Sequence, residues 1–308
     1  MAKTVYVFGE LNVDFIVSGA DARPEPGKEK LVERCELTLG SSSAITACRL
    51  AQLGLDVRFV SVVGDDRFGA YCIERLGDFS VDASRVRVDP SDRTGVTVSL
   101  STPEDRALLT FMGTIPKLTP EAIPADWEDE ADHIHFGSFY LQKGMLSAWR
   151  ELFERARSRG VTTSFDLGWD PEERWHRPIV EALLPWTDLF VPSEAELCRV
   201  YQTESVEDVR PLLPPGSGTI AVKRGRNGAS ALTAEGEWLH APAFPVEAVD
   251  TTGAGDSFNA GAIYSFLHGG SPAELLAYGN ACGALSTLAV GGTGGVVDRA
   301  AVAALLGR

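Results

Sequence analysis

The sequence predicts an α/β fold in which helices cover both faces of a mainly parallel sheet. Short apolar runs of strand length alternate with segments of helical apolar spacing along most of the 308 residues. Several of these segments end at a glycine, namely Gly9, Gly54, Gly64 and Gly160. Two regions break the alternation, because they contain strands without an intervening helix. We interpret them as a small accessory sheet beside the main one.

The elements of the main layers follow in order along the chain. Short apolar runs bounded by glycine or proline predict strands at 4–8, 57–63, 161–165, 189–191 and 219–223. Apolar residues at helical spacing predict helices at 42–53, 65–76, 145–159, 254–267 and 272–290. One more helix is expected directly after Ser193. This order is typical of a parallel sheet whose crossover connections are helical.

The accessory sheet is predicted from two pairs of strands. Residues 13–18 and 30–37 flank a loop rich in proline and charge, and 95–101 and 107–113 flank a turn at 103–106. We expect the regions of roughly 13–37 and 95–113 to form a small antiparallel sheet inserted in a single domain of residues 1–308. Such a sheet could close over a ligand as a lid. The alternative is two hairpins without a functional role.

Composition limits the classes of partner. The net charge is −15, from 28 basic and 43 acidic residues. Nucleic acids and anionic membrane surfaces attract basic faces, so neither is expected as a partner. The simplest interpretation of the charge is solubility.

The cysteines and the N-terminus favour a cytoplasmic location. The five cysteines contain no CxxC pair and are odd in number, so they predict neither a disulfide framework nor a zinc site. The N-terminus lacks the pattern of a signal peptide, and no apolar run approaches the roughly 18 residues of a membrane helix.

Residues 250–256 carry the clearest chemical signal. Small residues stand between Asp250 and Asp256, directly before an apolar helix. Glycines allow close approach of the backbone to a ligand, and the amides of a helix start favour an anion such as phosphate. Asp256, in the first turn, could accept the proton of an attacking hydroxyl. The alternative is an ordinary turn with a capping aspartate. The chain has neither a Walker A loop nor a GxGxxG fingerprint after its first strand.

Several segments in the same order resemble motifs of the ribokinase-like (pfkB-type) carbohydrate kinase family. They are residues 9–14, 40–54, 64–69, 135–138, 223–228 and 249–258. The resemblance implies a three-layer ribokinase-like fold with a β-sheet lid. It also implies a phosphotransferase that moves the γ-phosphoryl group of ATP to a hydroxymethyl group of a sugar or sugar-like molecule. Magnesium would accompany ATP, and a homodimer is expected. The alternatives are a nucleoside kinase of the same family and a homologue that binds a ligand without catalysis.

The resemblance also implies roles for individual residues. Asp256 would be the catalytic base, and the amides of Gly253, Ala254 and Gly255 would form the anion hole. The acceptor would contact Asn12, Asp14, Gly40 and Ser41. ATP would lie near Lys223, Gly225, Gly228, Asn280, Thr252 and Ser193, where the Lys223 cation could reach a phosphate. Glu196 would influence Mg²⁺ indirectly, and Asp250 with Thr252 would help to bind a monovalent cation such as K⁺.

Four residues depart from the family pattern. Ile45 stands where an asparagine usually contacts the sugar, so it either leaves the acceptor fewer polar contacts or packs inward. Ser193 replaces an asparagine and can still hydrogen-bond, or can cap its helix. Gly168 and Asp170 replace the asparagine and arginine of some sugar-acid kinases. An anionic substrate therefore loses a clamp, for which Arg174 could substitute.

Overall fold

The computed structural model describes residues 2–19, 22–102, 106–233 and 235–308. Within these ranges the strands are β1 (Thr4–Phe8), β2 (Asn12–Ser18), β3 (Arg34–Leu39), β4 (Asp56–Gly64), β5 (Asp82–Asp89), β6 (Gly95–Ser101), β7 (Arg106–Phe111), β8 (His133–Phe136), β9 (Thr162–Phe165), β10 (Leu189–Phe190), β11 (Thr219–Lys223), β12 (Ala229–Leu232) and β13 (Trp238–Ala241). The helices are α1 (Ser42–Gln52), α2 (Arg67–Asp78), α3 (Trp127–Glu130), α4 (Trp149–Ser158), α5 (Arg177–Leu183), α6 (Glu194–Tyr201), α7 (Ala254–Leu267), α8 (Pro272–Ser286) and α9 (Arg299–Leu305). No described helix is both long enough and apolar enough to cross a bilayer.

The main sheet is mostly parallel, as the sequence predicts. In the described part of the chain its strand order is β13-β12-β11-β10-β9-β8-β1-β4-β5. The strands from β11 to β5 in this order pair in parallel, whereas β12 and β13 add an antiparallel edge. The carboxyl ends of the parallel strands therefore share one edge, where α/β folds place their ligands.

Two apolar cores cover the two faces of this sheet. Alternate residues of a strand point to opposite faces, and β1 shows the division. Val5 and Val7 belong to the core that contains residues of α1, α7 and α8. Tyr6 and Phe8 belong to the core that contains residues of α4, α5 and α6. The fold thus has three layers, as expected.

The accessory sheet, called the lid sheet from here on, is present, but the prediction that it is antiparallel throughout is wrong. Its strand order is β3-β2-β6-β7, and its central strands β2 and β6 pair in parallel. Both strands follow parallel strands of the main sheet, β1 and β5, and so leave that sheet in the same direction. The turn predicted at 103–106 lies largely outside the described residues. The parallel register sets Asp14 beside Thr97, and Thr97 lies beside Thr110.

Two helix boundaries differ from the prediction by four residues, and both ends of α2 differ from it by two. Helix α4 begins at Trp149 instead of Met145, after a single turn in which the Trp149 amide donates to Met145 O at 3.2 Å. Helix α8 ends at Ser286 instead of Val290. The Gly291 amide, which would continue α8 by bonding to Thr287 O, donates to a carboxylate instead. The loop after α8 is thereby turned towards the start of α7.

Candidate active site

The turn before α7 is held by the carboxylate of Asp250. Its Oδ1 accepts hydrogen bonds from the Thr252 amide at 2.9 Å and the Thr252 hydroxyl at 2.8 Å, and its Oδ2 accepts from the Gly291 amide at 2.8 Å. Gly253 follows in the left-handed region at φ 73°. A β-carbon there would lie 2.5 Å from Gly292 Cα, so only glycine fits without moving the adjacent loop.

Only some of the backbone amides at the start of α7 donate a hydrogen bond within the protein. The Ala254 amide donates to Thr251 O at 3.2 Å, whereas those of Gly253 and Gly255 have no acceptor within the described ranges. Helix α7 is 14 residues long, and its dipole adds positive potential at this end. Two of the three amides predicted for an anion hole are therefore open to a ligand.

Asp256 lies in the first turn of α7 and is contacted by α1. The Ser42 hydroxyl donates to Asp256 Oδ1 at 2.6 Å. Burial raises the pKa of Asp256 from its ordinary value of 3.8 to about 7. The Ser42 hydrogen bond and the Lys223 charge oppose this rise, while Asp166 and Glu10 reinforce it. A carboxylate with a pKa near neutrality is suited to act as a general base.

Lys223 forms an ion pair with Asp166 next to this carboxylate. Lys223 Nζ lies 2.6 Å from Asp166 Oδ2 and donates to Asn259 Oδ1 at 3.2 Å. Asn259 Nδ2 donates to the same oxygen of Asp166 at 2.8 Å. Burial lowers the pKa of Lys223, but Asp166 and further carboxylates raise it above its ordinary value. A β-carbon on Gly255 would lie 3.6 Å from Lys223 Nζ. The Lys223 ammonium group, which Asp166 and Asn259 hold in place, therefore lies beside the start of α7.

A cavity of about 190 Å³ lies between α1, the lid sheet and the start of α7. Its polar lining consists of Glu10, Asn12, Asp14, Ser41, Ser42, Thr97, Ser99, Thr110, Ser138, Thr252 and Asp256. Among the side chains that the structure describes, no lysine or arginine lines it. Carboxylates and hydroxyls can accept from and donate to hydroxyl groups, so the lining suits a polyhydroxylated ligand.

The residues predicted to bind the acceptor meet at this cavity. Asn12 Nδ2 donates to Asp14 Oδ1 at 3.2 Å. Gly40 is not itself a lining residue, but a β-carbon there would lie 2.1 Å from Asp14 Oδ1, so glycine leaves room for that carboxylate. Ser41 Oγ accepts from the Ala44 amide at 3.0 Å and caps α1.

A second, larger cleft of about 560 Å³ lies on the other side of the turn. Four of the residues predicted to lie near ATP line it, namely Lys223, Gly225, Gly228 and Asn280, whereas Thr252 and Ser193 do not. Asn280 Nδ2 donates to the carbonyls of Ala241 and Pro242 at 3.1 Å and 3.0 Å. These bonds fix the position of the loop that follows β13 at the cleft wall.

The cavity and the cleft meet at residues 251–256. Thr252, Gly253 and Asp256 face the smaller cavity, whereas Thr251, Ala254 and Gly255 face the larger cleft. A ligand in each would be separated only by this turn. A hydroxyl in the cavity and a phosphate in the cleft could therefore approach each other at the start of α7.

Ser193 and Glu196 form a capping box at the start of α6. The Ser193 amide donates to Glu196 Oε2 at 2.8 Å, and the Glu196 amide donates to Ser193 Oγ at 3.3 Å. The helix-cap role considered for Ser193 is thus present. Neither residue lines the cavity or the cleft. Burial, reinforced by Asp166, raises the pKa of Glu196. Across the described ranges, no three His, Cys, Asp or Glu side chains are grouped so as to hold a metal ion.

Ile45 combines the two alternatives drawn from the sequence. Its side chain is 3% exposed and packs against Gly253 and Gly292, yet it also lines the smaller cavity, where the acceptor is predicted to bind. The apolar residue therefore supports the turn and gives the smaller cavity an apolar wall at this position.

The segment around Gly168 and Asp170 does not provide an anion clamp. Asp170 accepts hydrogen bonds from the backbone amides of Glu172, Arg174 and Trp175. The Arg174 side chain is 68% exposed and pairs with Glu172 at 3.4 Å, and it does not line the cavity. The substitution of Arg174 for the missing clamp is not supported.

Sequence reasoning assigned no individual role to five polar residues of the site, namely Glu10, Ser42, Ser138, Asp166 and Asn259. The Glu10 carboxylate accepts from the Ser43 hydroxyl at 2.7 Å and the Ser138 hydroxyl at 2.8 Å. Asp166 directly follows β9, at the sheet edge where α/β sites form, and that position was a usable signal. Asn259 lies one turn after Asp256 on the same face of α7.

Comparisons with known proteins agree with this architecture. The sequence profile described as pfkB family carbohydrate kinase matches residues 2–299. The ATP-dependent ribose-1-phosphate kinase of Halopiger xanaduensis is 33% identical over 284 residues, which cover 90% of this chain and 90% of that protein. The 2-dehydro-3-deoxygluconokinase of Bacillus subtilis is 30% identical over 282 residues, which cover 87% and 86% of the two chains.

A solved structure extends the agreement to three dimensions. The crystal structure of a proposed ribokinase II from E. coli, in complex with ATP and Mg²⁺, has a TM-score of 0.86 and 26% identity, and the match covers 100% of both chains. The sequence profile and the fold therefore agree along nearly the whole chain. This chain belongs to the pfkB family of carbohydrate kinases.

Proposed function

We propose that this protein is an ATP-dependent kinase that phosphorylates a hydroxymethyl group of an uncharged sugar or sugar-like alcohol. The observation that carries the proposal is the meeting of two cavities at residues 251–256. A carboxylate with a raised pKa, Asp256, faces the smaller one, and Ala254 and Gly255 at the start of α7 face the larger one. An acceptor and a nucleotide would approach each other across this turn.

In the proposed reaction, the acceptor hydroxyl gives its proton to Asp256 as its oxygen attacks the γ-phosphorus of ATP. The bond between that phosphorus and the bridging oxygen breaks, and ADP leaves with the electron pair. The open amides of Gly253 and Gly255 and the Lys223 cation are placed to stabilise the charge on the transferring group. Water is excluded when the lid sheet covers the acceptor.

Membership of the family implies that Mg²⁺ accompanies the nucleotide, and the E. coli structure contains both ATP and Mg²⁺. Mg²⁺ neutralises phosphate charge, and proteins hold it through one or two carboxylates together with the phosphates. Asp166 Oδ1 is buried without a hydrogen-bond partner in the described chain, which fits a site that a bound group completes. We assign Asp166 to this role, with Glu196 and Ser193 supporting it indirectly.

The volume of the acceptor cavity favours a monosaccharide over a nucleoside. At about 190 Å³, it is smaller than the roughly 300–1,000 Å³ of pockets for drug-sized ligands. Its charge favours a neutral ligand, since Glu10, Asp14 and Asp256 line it and no described cation does. This differs from the two relatives named above, whose names specify a sugar phosphate and a sugar acid.

The test is ADP release measured with neutral sugars, ribose-1-phosphate, 2-dehydro-3-deoxygluconate and nucleosides. We expect the highest kcat/KM with a neutral sugar, because an anion would be repelled by the three carboxylates that line the cavity. Preference for either anion would refute the assignment of the acceptor class. Turnover confined to nucleosides would support the alternative nucleoside kinase, and ligand binding without turnover would support the non-catalytic homologue.

The role of Asp256 is tested by Asp256→Asn. The variant should keep its affinity for ADP but lose about three or more orders of magnitude in kcat, since the base is removed. Asp129→Asn, at a side chain that is 79% exposed, is the matched control and should keep full activity. Near-normal kcat in Asp256→Asn would remove Asp256 from the proposed role.

A further inference from the structure

The loop of residues 291–295, here called the glycine loop, supports the anion-hole turn from behind. The Gly291 amide donates to Asp250 Oδ2 at 2.8 Å. Gly292 lies so close to Gly253 that a β-carbon on Gly253 would come within 2.5 Å of Gly292 Cα. A shift of the glycine loop would therefore move the Gly253 amide, one of the two open donors.

A buried arginine holds the glycine loop. Arg49, in the last turn of α1, is 0% exposed. Its guanidinium donates to Gly292 O at 3.0 Å, to Gly294 O, and to Gly295 O at 3.3 Å. It also donates to the Gln52 side-chain oxygen at 2.7 Å. Within the described ranges it has no carboxylate partner in an ion pair, so backbone carbonyls carry most of its compensation.

This arrangement is unusual in energetic terms. Burial lowers the pKa of Arg49 to about 10, which still leaves it charged at neutral pH. A buried charge without an ionic partner is costly unless dipoles are fixed around it. The inward-facing carbonyls of the glycine loop supply those dipoles, and the loop and the cation stabilise each other.

Backbone carbonyl oxygens of this kind are also suitable ligands for a monovalent cation. Potassium sites in proteins are built from groups of backbone carbonyl oxygens that replace the hydration shell of the ion. Here the carbonyls of Gly292, Gly294 and Gly295 already accept from Arg49, and Asp250 already accepts three hydrogen bonds. The residues present therefore do not fit the K⁺ site expected at Asp250 and Thr252.

We propose that the guanidinium of Arg49 takes the place of a monovalent cation beside the anion hole and makes this enzyme independent of K⁺. Arg49 would then be a positioning residue, which sets the glycine loop and through it Asp250 and Gly253. The inference rests on the proposed kinase function for its kinetic readout. Its binding readout needs only the nucleotide.

The first experiment uses the wild-type protein. ADP affinity, unfolding midpoint and kcat are measured in KCl, NaCl and choline chloride at equal ionic strength, so that screening is constant. We expect every quantity to agree within about twofold, or within the error of the midpoint, because the cation position is already filled. An increase of about fivefold or more in ADP affinity or kcat by K⁺ would overturn the proposal.

The second experiment removes the built-in cation. Arg49→Ala should lower kcat and ADP affinity about tenfold or more in choline chloride, since the anion hole loses its support. KCl or low-millimolar guanidinium chloride should restore a large part of both, because either cation can enter the vacated carbonyl site. A loss that neither cation repairs would show that Arg49 only packs the fold, and would overturn the substitution.

A control variant and two fallback measurements complete the test. Arg75→Ala, at a surface arginine of α2 paired with Asp78, is the matched control and should show no cation dependence. If Arg49→Ala fails to fold, the wild-type comparison alone decides. If no acceptor is turned over in any salt, the proposed function fails, while the cation dependence of ADP affinity still tests the role of Arg49.

Discussion

Asp256 stands between opposing influences on its charge. Burial, Asp166 and Glu10 favour the neutral acid, whereas the Ser42 hydroxyl and the Lys223 cation favour the carboxylate. A general base must be ionised before it accepts a proton. Because the pKa is raised, activity should begin to fall near neutral pH as the solution is acidified, and not only near pH 4.

The pH profile follows from this balance. We expect kcat/KM for the acceptor to rise about tenfold per pH unit below about pH 7 and to level off above it, as the fraction of ionised Asp256 saturates. Initial rates between pH 5 and pH 9 with a fixed saturating concentration of ATP measure the profile. Full activity retained at pH 5 would contradict the assignment of Asp256 as the titrating base.

Stability should change in the opposite sense at this residue. The folded-state pKa of about 7 exceeds the ordinary value of 3.8, so the folded protein holds a proton that the unfolded chain releases. The associated stability is present at low pH and is lost as pH rises through about 7. Asp256→Asn should therefore unfold at a higher urea concentration than wild type at pH 8, by on the order of 2 kcal/mol. The difference should shrink at pH 5, and an equal gain at both pH values would argue against the linkage.

Lys223 and Asp166 should stabilise the fold only as a pair. Lys223→Met leaves the carboxylate buried without its cation, and should lower the free energy of unfolding by about 3–5 kcal/mol. Adding Asp166→Asn to Lys223→Met removes the uncompensated charge and should recover most of that loss. Urea unfolding of the two single variants and the double variant measures the coupling. Additive losses would show that the two charges are independent.

The contact between Ser42 and Asp256 shows where residue-scale prediction stops. Asp256 was predicted from its position after a glycine-rich turn, since that signal is local in the chain. Its hydrogen-bond donor lies 214 residues away and comes near only when α1 packs beside α7. The serine run at 41–43 was interpreted only as part of the motif at 40–54 and gave no sign of this partner.

The bounds of elements that nearby residues mark in the sequence were predicted more accurately than the pairing of strands. The bounds of α7 and β11 agree with the sequence prediction, because a glycine turn and flanking loops mark them. The end of α8 was placed four residues late. Thr287 O accepts from the amides of Val249 and Asp250, and the Gly291 amide donates to Asp250, so tertiary contacts replace the next helical bonds. The parallel pairing of β2 with β6 likewise depends on the directions of β1 and β5 in the main sheet.

The junction between β3 and α1 gives a prediction for the acceptor site. A β-carbon at Gly40 would lie 2.1 Å from Asp14 Oδ1 and 2.6 Å from Asn12 Nδ2. Gly40→Ala should therefore displace both side chains and raise the acceptor KM about tenfold or more, with ADP affinity unchanged. Gly77→Ala, on α2 with no atom near its β-carbon position, is the control. It should keep the wild-type KM and gain about 0.5–1 kcal/mol of stability. An unchanged KM in Gly40→Ala would show that the contact with Asp14 is dispensable.

At the scale of the whole molecule, the lid sheet leaves apolar surface uncovered. Strand β7 lies at the edge of that sheet, and Leu109 and Phe111 on one of its faces are 63% and 56% exposed. Leu108, on the other face, lines the acceptor cavity and is 55% exposed. An exposed edge strand with apolar side chains favours pairing with another chain. A second copy on this edge would bury Leu109 and also close the open wall of the cavity at Leu108.

We therefore predict a homodimer formed through the lid. Leu109→Asp should convert the protein to a monomer in sedimentation equilibrium, because burying the new charge at an apolar interface is costly. The monomer should show a higher acceptor KM and unchanged ADP affinity, since the cleft for the nucleotide lies on the other side of residues 251–256. Ile179→Asp, at a similarly apolar but separate surface position on α5, should leave both mass and KM unchanged. A wild-type protein that is monomeric at all concentrations would refute the dimer. If the Leu109→Asp variant remains a dimer, the interface does not lie at β7. Dimer formation would then not be expected to affect acceptor binding.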